Sequence, residues 1–150
     1  PSNKLKELKI SLPNAPEPVG SYVAFKKVNN LLFISGQLPI KSDGKIIKGK
    51  LGKELTLEEG QEASRLCVLN ILAQVNKALS GDLDKVKNCA KITGYVNSAD
   101  TFIDQPKVIN PASDMLSNVF GAVGKHTRAA ISANSLPLGA AVEIDAIFEI

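Results

Sequence analysis

Residues 142–150 alternate between apolar positions and mainly acidic ones, and this pattern constrains the fold more than any other feature of the chain. In an extended strand, one face would carry Val142, Ile144, Ala146, Phe148 and Ile150, and the other would carry Glu143, Asp145 and Glu149. Such a strand requires a sheet with helices on one face only. The acidic face still needs a cover, and we expect symmetric self-association to provide it.

A long helix is predicted to follow Thr56. The segment Thr56-Leu-Glu-Glu59 is a capping box, in which the threonine hydroxyl and the glutamate carboxylate each satisfy a backbone amide that has no partner in the helix. Apolar residues then recur at helical spacing: Ala63, Leu66, Cys67, Ile71, Val75, Ala78 and Leu79. The sequence Ser80-Gly81-Asp82 is typical of a helix end. We therefore expect a helix that covers a sheet.

The remaining pattern predicts a β-β-α-β-α-β-β order. Runs 22–27 and 31–37 form a hairpin around Asn29-Asn30, because asparagine tolerates the positive φ of a tight turn. Strands are predicted at 86–96, 128–133 and 141–149, with a second helix at 112–120 and a turn at Leu136-Pro137. The predicted fold class is α+β, with two helices packed on one face of a mixed sheet.

Two segments are predicted to lack regular structure. Residues 1–19 are read as an extended N-terminal arm, because Pro13, Pro16 and Pro18 favour extended backbone over helix. Residues 39–55 are rich in glycine and lysine, and we expect a mobile connection on the surface. The 150 residues fit a single domain spanning 1–150.

Composition excludes several classes of function. No apolar run approaches the length of about 20 residues that a membrane span needs, and we expect a cytoplasmic protein. The formal net charge of +3 is mild, so nucleic acid is not an expected partner. The two cysteines, Cys67 and Cys89, have no metal or redox spacing and are interpreted as buried thiols. We expect no metal and no cofactor.

Arg128 is the first candidate for a ligand contact. It is one of only two arginines among 18 basic residues, and a planar guanidinium grips a carboxylate with two hydrogen bonds, which an ammonium cannot do. Arg65 is less informative. Spacing alone favours a surface ion pair for Arg128 and an exposed strand position for Glu143. The single histidine, His126, is interpreted as structural, since one imidazole cannot form a metal site.

Several short motifs together resemble the Rid/YjgF family. They are Gly20-Ser-Tyr22, Ile34-Ser-Gly-Gln-Leu-Pro39, Val108-Ile-Asn110, Thr127-Arg128 and Leu136-Pro137 followed by Val142-Glu143. Taken singly they have ordinary explanations. Gly36 reads as a strand-ending bulge, and Asn110, which precedes Pro111, reads as a cap for the second helix. The combination extends over about residues 15–149.

The resemblance implies a fold, an assembly and a reaction. The fold would be chorismate-mutase-like, assembled as a homotrimeric barrel with ligand clefts between subunits. Family members of the best understood branch hydrolyse enamines and imines such as 2-aminoacrylate to 2-keto acids and ammonia. By this resemblance Arg128 would bind the substrate carboxylate and Glu143 would orient or deprotonate the attacking water. The cleft would be lined by Tyr22, Ser35, Gly36 and Asn110, without metal or cofactor.

The chain also departs from that branch, which leaves other functions open. Ala130 stands where a cysteine is usual, Ser21 where a proline is usual, and the 40–57 connection is longer, so the chain resembles a divergent subgroup. One alternative is a homotrimer that binds a small carboxylate-bearing metabolite without catalysis. Another is an endoribonuclease or translation inhibitor, a label attached to this family that the modest charge does not favour.

Overall fold

The computed structural model describes residues 1–150, and its centre is one five-stranded mixed sheet. The strands are β1 (Phe25–Val28), β2 (Leu31–Gln37), β3 (Asn88–Asn97), β4 (Thr127–Ala133) and β5 (Val142–Glu149). The helices are α1 (Ser2–Glu7), α2 (Leu57–Ala78) and α3 (Gln105–Phe120). The strand order across the sheet is β1-β2-β5-β3-β4, with α2 and α3 packed on one face. The α+β prediction is confirmed, with α1 added at the start.

Strand β5 lies at the centre, antiparallel to both β2 and β3. Strand β4 is an edge strand and runs parallel to β3. The predicted hairpin is present, and Asn29 adopts a φ of 54° at its turn. The β2–β5 register shifts between Ile34 and Gln37, so the bulge predicted at Gly36 is also present. Along β5 the buried residues alternate with partly exposed ones, as the sequence pattern requires.

Helix α2 begins as predicted. The Glu59 amide donates to the Thr56 hydroxyl at 3.2 Å, and the Thr56 amide donates to the Glu59 carboxylate at 3.1 Å. The helix then presents a broad apolar face to the sheet, with Cys67, Val68 and Ile71 fully buried. It ends before Ser80 and Gly81, which have φ values of 54° and 87°. Local sequence therefore determines both ends of α2.

Helix α3 begins earlier than predicted, at Gln105 instead of residue 112, and encloses Pro111. The interpretation of Asn110 as the helix cap is therefore wrong, since Asp104 occupies the N-cap position. Proline lacks the N–H that would bond to the carbonyl four residues before it. That carbonyl belongs to Lys107, and the Gln61 side-chain amide of α2 donates to it at 3.0 Å. A contact from another helix compensates for the proline.

The hydrophobic core lies between the helices and the sheet and contains 26 buried residues. Both cysteines are buried free thiols, as predicted, and burial raises the pKa of Cys89 to about 12. The 39–55 connection differs from its prediction as a mobile surface segment. Leu51 is fully buried, its amide donates to the Asn97 carbonyl at 2.8 Å, and it accepts from the Ala99 amide at 2.9 Å. The connection is anchored to the sheet.

The N-terminal arm is only partly extended. Residues 2–7 form helix α1, so the prediction of an arm without helix is wrong for this segment. Pro13, Pro16 and Pro18 all lie further along, where no helix or strand is present. Leu5, Ile10 and Leu12 pack against the core. No helix of the chain is long and apolar enough to span a bilayer.

Replacing Leu51 with alanine tests whether the 39–55 connection contributes to the core. We expect Leu51→Ala to lower the free energy of unfolding by about 2–5 kcal/mol, because a fully buried leucine leaves a cavity. The exposed Lys53 lies on the same connection, so Lys53→Ala is the control and should change stability by less than about 0.5 kcal/mol. Urea denaturation measures both values. Equal, small effects would contradict the anchored connection.

Candidate functional site

Four of the six predicted site residues lie around one depression on the sheet face opposite the helices, which we call the open face. Tyr22, Ser35, Gly36 and Glu143 line it together with Pro137. Tyr22 comes from the segment just before β1, Ser35 and Gly36 come from β2, and Glu143 comes from the neighbouring strand β5. Tertiary structure therefore brings together residues that are more than 100 positions apart in the sequence.

The Glu143 carboxylate lies directly against the backbone of Gly36. A Cβ atom at position 36 would stand 2.2 Å from Glu143 Oε1, far inside any permitted contact. Gly36 belongs to the bulge where β2 and β5 shift register, which turns its backbone toward the carboxylate. Position 36 therefore requires a residue without a side chain if Glu143 is to keep this orientation.

Glu143 is a desolvated carboxyl group with an acidic neighbour. Partial burial raises its pKa, and the negative charge of Asp145 raises the pKa further. Burial also raises the pKa of Asp145, an effect that Lys91 and the Tyr95 hydroxyl partly offset. A carboxyl group whose pKa is moved toward neutrality is suited to accepting and returning a proton near pH 7.

Tyr22 and Ser35 organise the wall next to Glu143. The Tyr22 ring lies over Gly20, is 48% exposed, and its hydroxyl accepts from the Val19 amide at 3.4 Å. The Ser35 hydroxyl donates to the Val23 carbonyl at 2.7 Å, so it ties the segment before β1 to β2. Tyr22 thus presents an exposed aromatic face to the depression, whereas the proton of Ser35 is already used within the chain.

Arg128 lies elsewhere, on the edge strand β4 and on the helix-covered side of the sheet. Its Nη1 donates to Asn110 Oδ1 at 3.0 Å and to the Ser113 hydroxyl at 3.2 Å, and its Nη2 approaches the Pro106 carbonyl at 3.5 Å. All three acceptors are uncharged and belong to α3. No carboxylate pairs with this guanidinium. The other arginine, Arg65, forms an ion pair with Glu62 at 3.3 Å.

A hydrogen-bond chain behind Arg128 fixes the direction of its partners. His126 Nδ1 lies 2.7 Å from the Gly124 carbonyl, which only accepts, so this nitrogen carries the proton. In the neutral ring Nε2 then accepts from the Ser113 hydroxyl, 2.8 Å away. The oxygen of Ser113 is thereby turned to accept from Arg128. His126, which was interpreted as structural, acts as an indirect support of the guanidinium.

Arg128 and Glu143 do not meet within one chain. Strand β3 lies between the strands that carry the two residues. Glu143 of β5 pairs with Tyr95 of β3, and Tyr95 pairs with Ile131 of β4, which lies three residues beyond Arg128. Strand geometry separates the two Cα atoms by about 14 Å. The side chains also point to opposite faces, because Arg128 contacts α3 and Glu143 faces away from the helices. The candidate site therefore consists of two half-sites.

Sequence reasoning missed several residues of both half-sites. Ser113 was not singled out, because a serine within a helix carries no signal until its hydroxyl is seen between Arg128 and His126. Tyr95 was also missed, although it faces Glu143 across the sheet. The alternation in strand β3 was a usable signal for Tyr95. No group of three or more His, Cys, Asp or Glu side chains in the chain is placed to hold a metal ion.

Comparison with known protein families gives one match over nearly the whole chain. The family model described as "YjgF/chorismate_mutase-like, putative endoribonuclease" matches residues 3–149. Its span includes both half-sites. The matched span therefore agrees with the resemblance found in the sequence motifs.

Similar proteins occur in distant organisms. Protein TCP17 of Trypanosoma cruzi is 45% identical over 97% of this chain and 91% of its own length. The crystal structure of Atu1372 from Agrobacterium tumefaciens, described as of unknown function, is 46% identical with a TM-score of 0.90, covering 99% of this chain and 92% of its own. A Shewanella oneidensis structure with the endoribonuclease label is 31% identical with a TM-score of 0.94, covering 99% and 98%.

Replacing Glu143 with glutamine tests the desolvation of this carboxyl group. The raised pKa means that the folded state keeps the proton to higher pH than the unfolded chain does. The Glu143 carboxyl group therefore makes its full contribution to the free energy of unfolding below about pH 4.3, the ordinary pKa of a glutamate. This contribution is lost as the pH rises through the pKa of the folded state. We expect Glu143→Gln to melt at a higher temperature than the parent protein at pH 7, with the difference shrinking toward pH 4.

The control for this measurement is Glu58→Gln, the same change at an exposed position of α2. We expect it to leave the difference in melting temperature between pH 4 and pH 7 unchanged. Thermal melts followed by circular dichroism across this pH range give both comparisons. A Glu143→Gln protein that is less stable than the parent at pH 7 would contradict the interpretation of Glu143 as a desolvated carboxylate.

Proposed function

Because the chain belongs to the YjgF/chorismate mutase-like family, we propose that it hydrolyses reactive enamines and imines of 2-amino acids to 2-keto acids and ammonia, at sites formed between copies of the chain. The fold and the family are established by the matches over almost all of the chain. The reaction and the assembly are inferred from the two half-sites.

The observation that carries this proposal is the hydrogen bonding of the Arg128 guanidinium group, which leaves one edge of the group free. Both hydrogens of Nη1 are held by Asn110 and Ser113, and one hydrogen of Nη2 is directed toward Pro106. The Nε–H and the second Nη2–H therefore remain as a free pair of donors on one edge of the guanidinium. Two parallel donors of this kind match a carboxylate. The uncharged anchors leave the positive charge available for an anionic ligand.

Glu143 supplies the complementary group for hydrolysis. An imine carbon is already electrophilic, so the catalyst needs only to hold the substrate, place a water molecule and move protons. In the ionised form Glu143 removes a proton from the water as its oxygen attacks the C2 carbon of the protonated imine, which gives a neutral carbinolamine. Glu143 then gives this proton to the amine. As the C–N bond breaks and the C=O bond forms, Glu143 takes the proton of the carbinolamine hydroxyl and passes it to the departing ammonia, so the keto acid and ammonium leave and the carboxylate is restored.

The two half-sites favour an assembly in which one copy supplies Arg128 and its neighbour supplies Glu143. Strand β4 is an unpaired edge, and the open face next to Glu143 is uncovered. Docking the edge of one subunit beside the open face of the next would join the half-sites and bury both surfaces. If the same contact is repeated by rotation about one axis, the subunits close into a ring. We propose a homotrimer with three sites.

Two other functions are distinguishable by experiment. A trimer that only binds small carboxylates would keep the Arg128 contact, so keto acids would raise its melting temperature without any turnover of imines. An endoribonuclease, the activity in the family description, would cleave single-stranded RNA in the absence of any imine. Neither alternative gives a role to the raised pKa of Glu143 beside Gly36.

Conservative replacement of Arg128 tests the carboxylate contact. A dehydratase that releases 2-aminoacrylate, or an oxidase that releases a larger imine, supplies the substrate, and release of the keto acid is followed. We expect the protein to accelerate this release, and Arg128→Lys to lower kcat/KM by about 10- to 100-fold, since a lysine keeps the charge but not the paired hydrogen bonds. Arg65→Lys is the matched control and should retain full activity. Unaccelerated release from several imines would overturn the proposed reaction.

Mixing two inactive variants tests the shared site. Arg128→Ala and Glu143→Gln subunits are co-expressed, and the mixed assemblies are purified through a tag on each. In every mixed trimer one of the three sites combines an intact Arg128 with an intact Glu143, so about one third of the activity should return. Light scattering reports the number of subunits. No recovery in mixed assemblies, or an active monomer, would contradict a site between copies.

A further inference from the structure

A groove that takes no part in the candidate site lies beside α2, and we call it the α2 groove. Its lining comes from residues 11–16 of the arm, from the segment 40–44 and from α2. It consists of two adjoining recesses of about 430 and 310 Å³, which share Pro13, Ile40, Ser42 and Asn70. Sites for small molecules typically measure about 300–1,000 Å³. No residue of the groove lines the open-face depression.

The junction of the two recesses contains Asn70, a polar side chain in the middle of α2 that is only 2% exposed. Its Nδ2 donates to the Leu38 carbonyl at 3.0 Å and to the Ile40 carbonyl at 3.2 Å, so both hydrogens of the amide are used within the chain. Its Oδ1 accepts no hydrogen bond from the chain, and it is not sealed from solvent. The two bonds of Nδ2 therefore hold an unpartnered acceptor at the surface of the groove.

The two recesses differ in their chemistry. The larger one adds three aliphatic side chains to the shared residues, namely Leu12, Leu66 and Leu69. The smaller one adds Asn14, Gly44 and Lys41, which is the only charged residue in the whole lining. Lys41 forms no ion pair with any carboxylate of the chain. The groove thus has an aliphatic half, an acceptor at its centre and a free cation in its other half.

The arm beside the groove is fixed at both ends but carries unpaired backbone groups between them. The Ile10 amide donates to the Leu5 carbonyl at 2.9 Å, and the Gln74 side-chain amide donates to the Pro16 carbonyl at 2.6 Å. Residues 11–15 form no backbone hydrogen bond with the rest of the chain. A ligand with several N–H donors therefore finds free carbonyl oxygens on this segment in addition to Asn70 Oδ1.

We propose that the α2 groove binds a free α-amino acid with an uncharged aliphatic side chain. The side chain would bury its surface against Leu12, Leu66 and Leu69. The ammonium group would donate to Asn70 Oδ1, and the carboxylate would pair with Lys41. A ligand without a carboxylate would leave the Lys41 charge unpaired beside its ammonium group. This site is separate from Arg128 and Glu143, and it does not depend on the proposed hydrolysis.

A series of four ligands tests the proposal with the unmodified protein. Leucine carries all three recognised groups, leucinamide lacks the carboxylate, 4-methylpentanoate lacks the ammonium group, and aspartate lacks the aliphatic side chain. Isothermal titration calorimetry measures the Kd of each. We expect leucine to bind, and leucinamide and 4-methylpentanoate to bind about tenfold more weakly or worse, because each loses one charged contact. Aspartate should not bind to the groove, since its second carboxylate would enter the aliphatic half.

Two lysine variants test the position of the carboxylate. Lys41→Gln should raise the Kd for leucine by about tenfold and leave the Kd for leucinamide unchanged. Lys45→Gln is the matched control, because Lys45 is exposed on the same segment but does not line the groove. It should leave both Kd values unchanged. Nuclear magnetic resonance locates the ligand, since leucine should shift the Asn70 side-chain amide signals and the methyl signals of Leu66 and Leu69.

The Arg128→Lys variant distinguishes the groove from the carboxylate contact proposed above. Leucine binding that persists in Arg128→Lys and weakens in Lys41→Gln supports the groove. The opposite result would overturn the proposal, because the amino acid would then occupy the arginine half-site. Absence of leucine binding, or equal binding of leucine and leucinamide, would also overturn it. The rate of imine hydrolysis, followed in the same preparations, tests the proposed function independently of these outcomes.

Discussion

The register of strand β5 is the constraint on which both the core and the candidate site depend. As the central strand it contributes Ile144 and Phe148 to the core, and the residues between them face away from the helices. A slip of one position would bury Glu143 and Asp145 in the apolar interior and expose the core residues. The desolvation cost of two buried carboxylates excludes that alternative. The burial that folds the sheet therefore also fixes the orientation of Glu143.

The same arrangement leaves the two reactive groups in unfavourable surroundings when a single chain is considered. Glu143 is partly desolvated and faces a second carboxylate, and Arg128 is held by uncharged oxygens without a counter-ion. Both groups would gain from a ligand that brings an anion to the guanidinium and a water molecule to the carboxylate. Strain at such positions is common where function and stability compete. The rest of the core provides the stability that allows it.

The extent of agreement between sequence and structure varies from element to element for identifiable reasons. Helix α2 was predicted well because its capping box and its glycine act on neighbouring backbone groups. Helix α3 was truncated in the prediction because Pro111 reads as a helix boundary, and only the long-range bond from Gln61 to the Lys107 carbonyl removes its cost. The 39–55 connection was misjudged because the backbone hydrogen bonds that anchor the buried Leu51 join it to residues 46 and 48 positions away.

The sequence by itself determined the fold class, the face of β5 that is buried, the bulge at Gly36 and the identity of Arg128 and Glu143 as candidates, because periodicity, capping and turn chemistry act over a few residues. Only the tertiary structure decided that these two side chains lie on opposite faces of the sheet, with their Cα atoms about 14 Å apart. It alone also revealed the support of Arg128 by Ser113. Such relations depend on which strands pair and which helix covers them, and no local pattern contains that information.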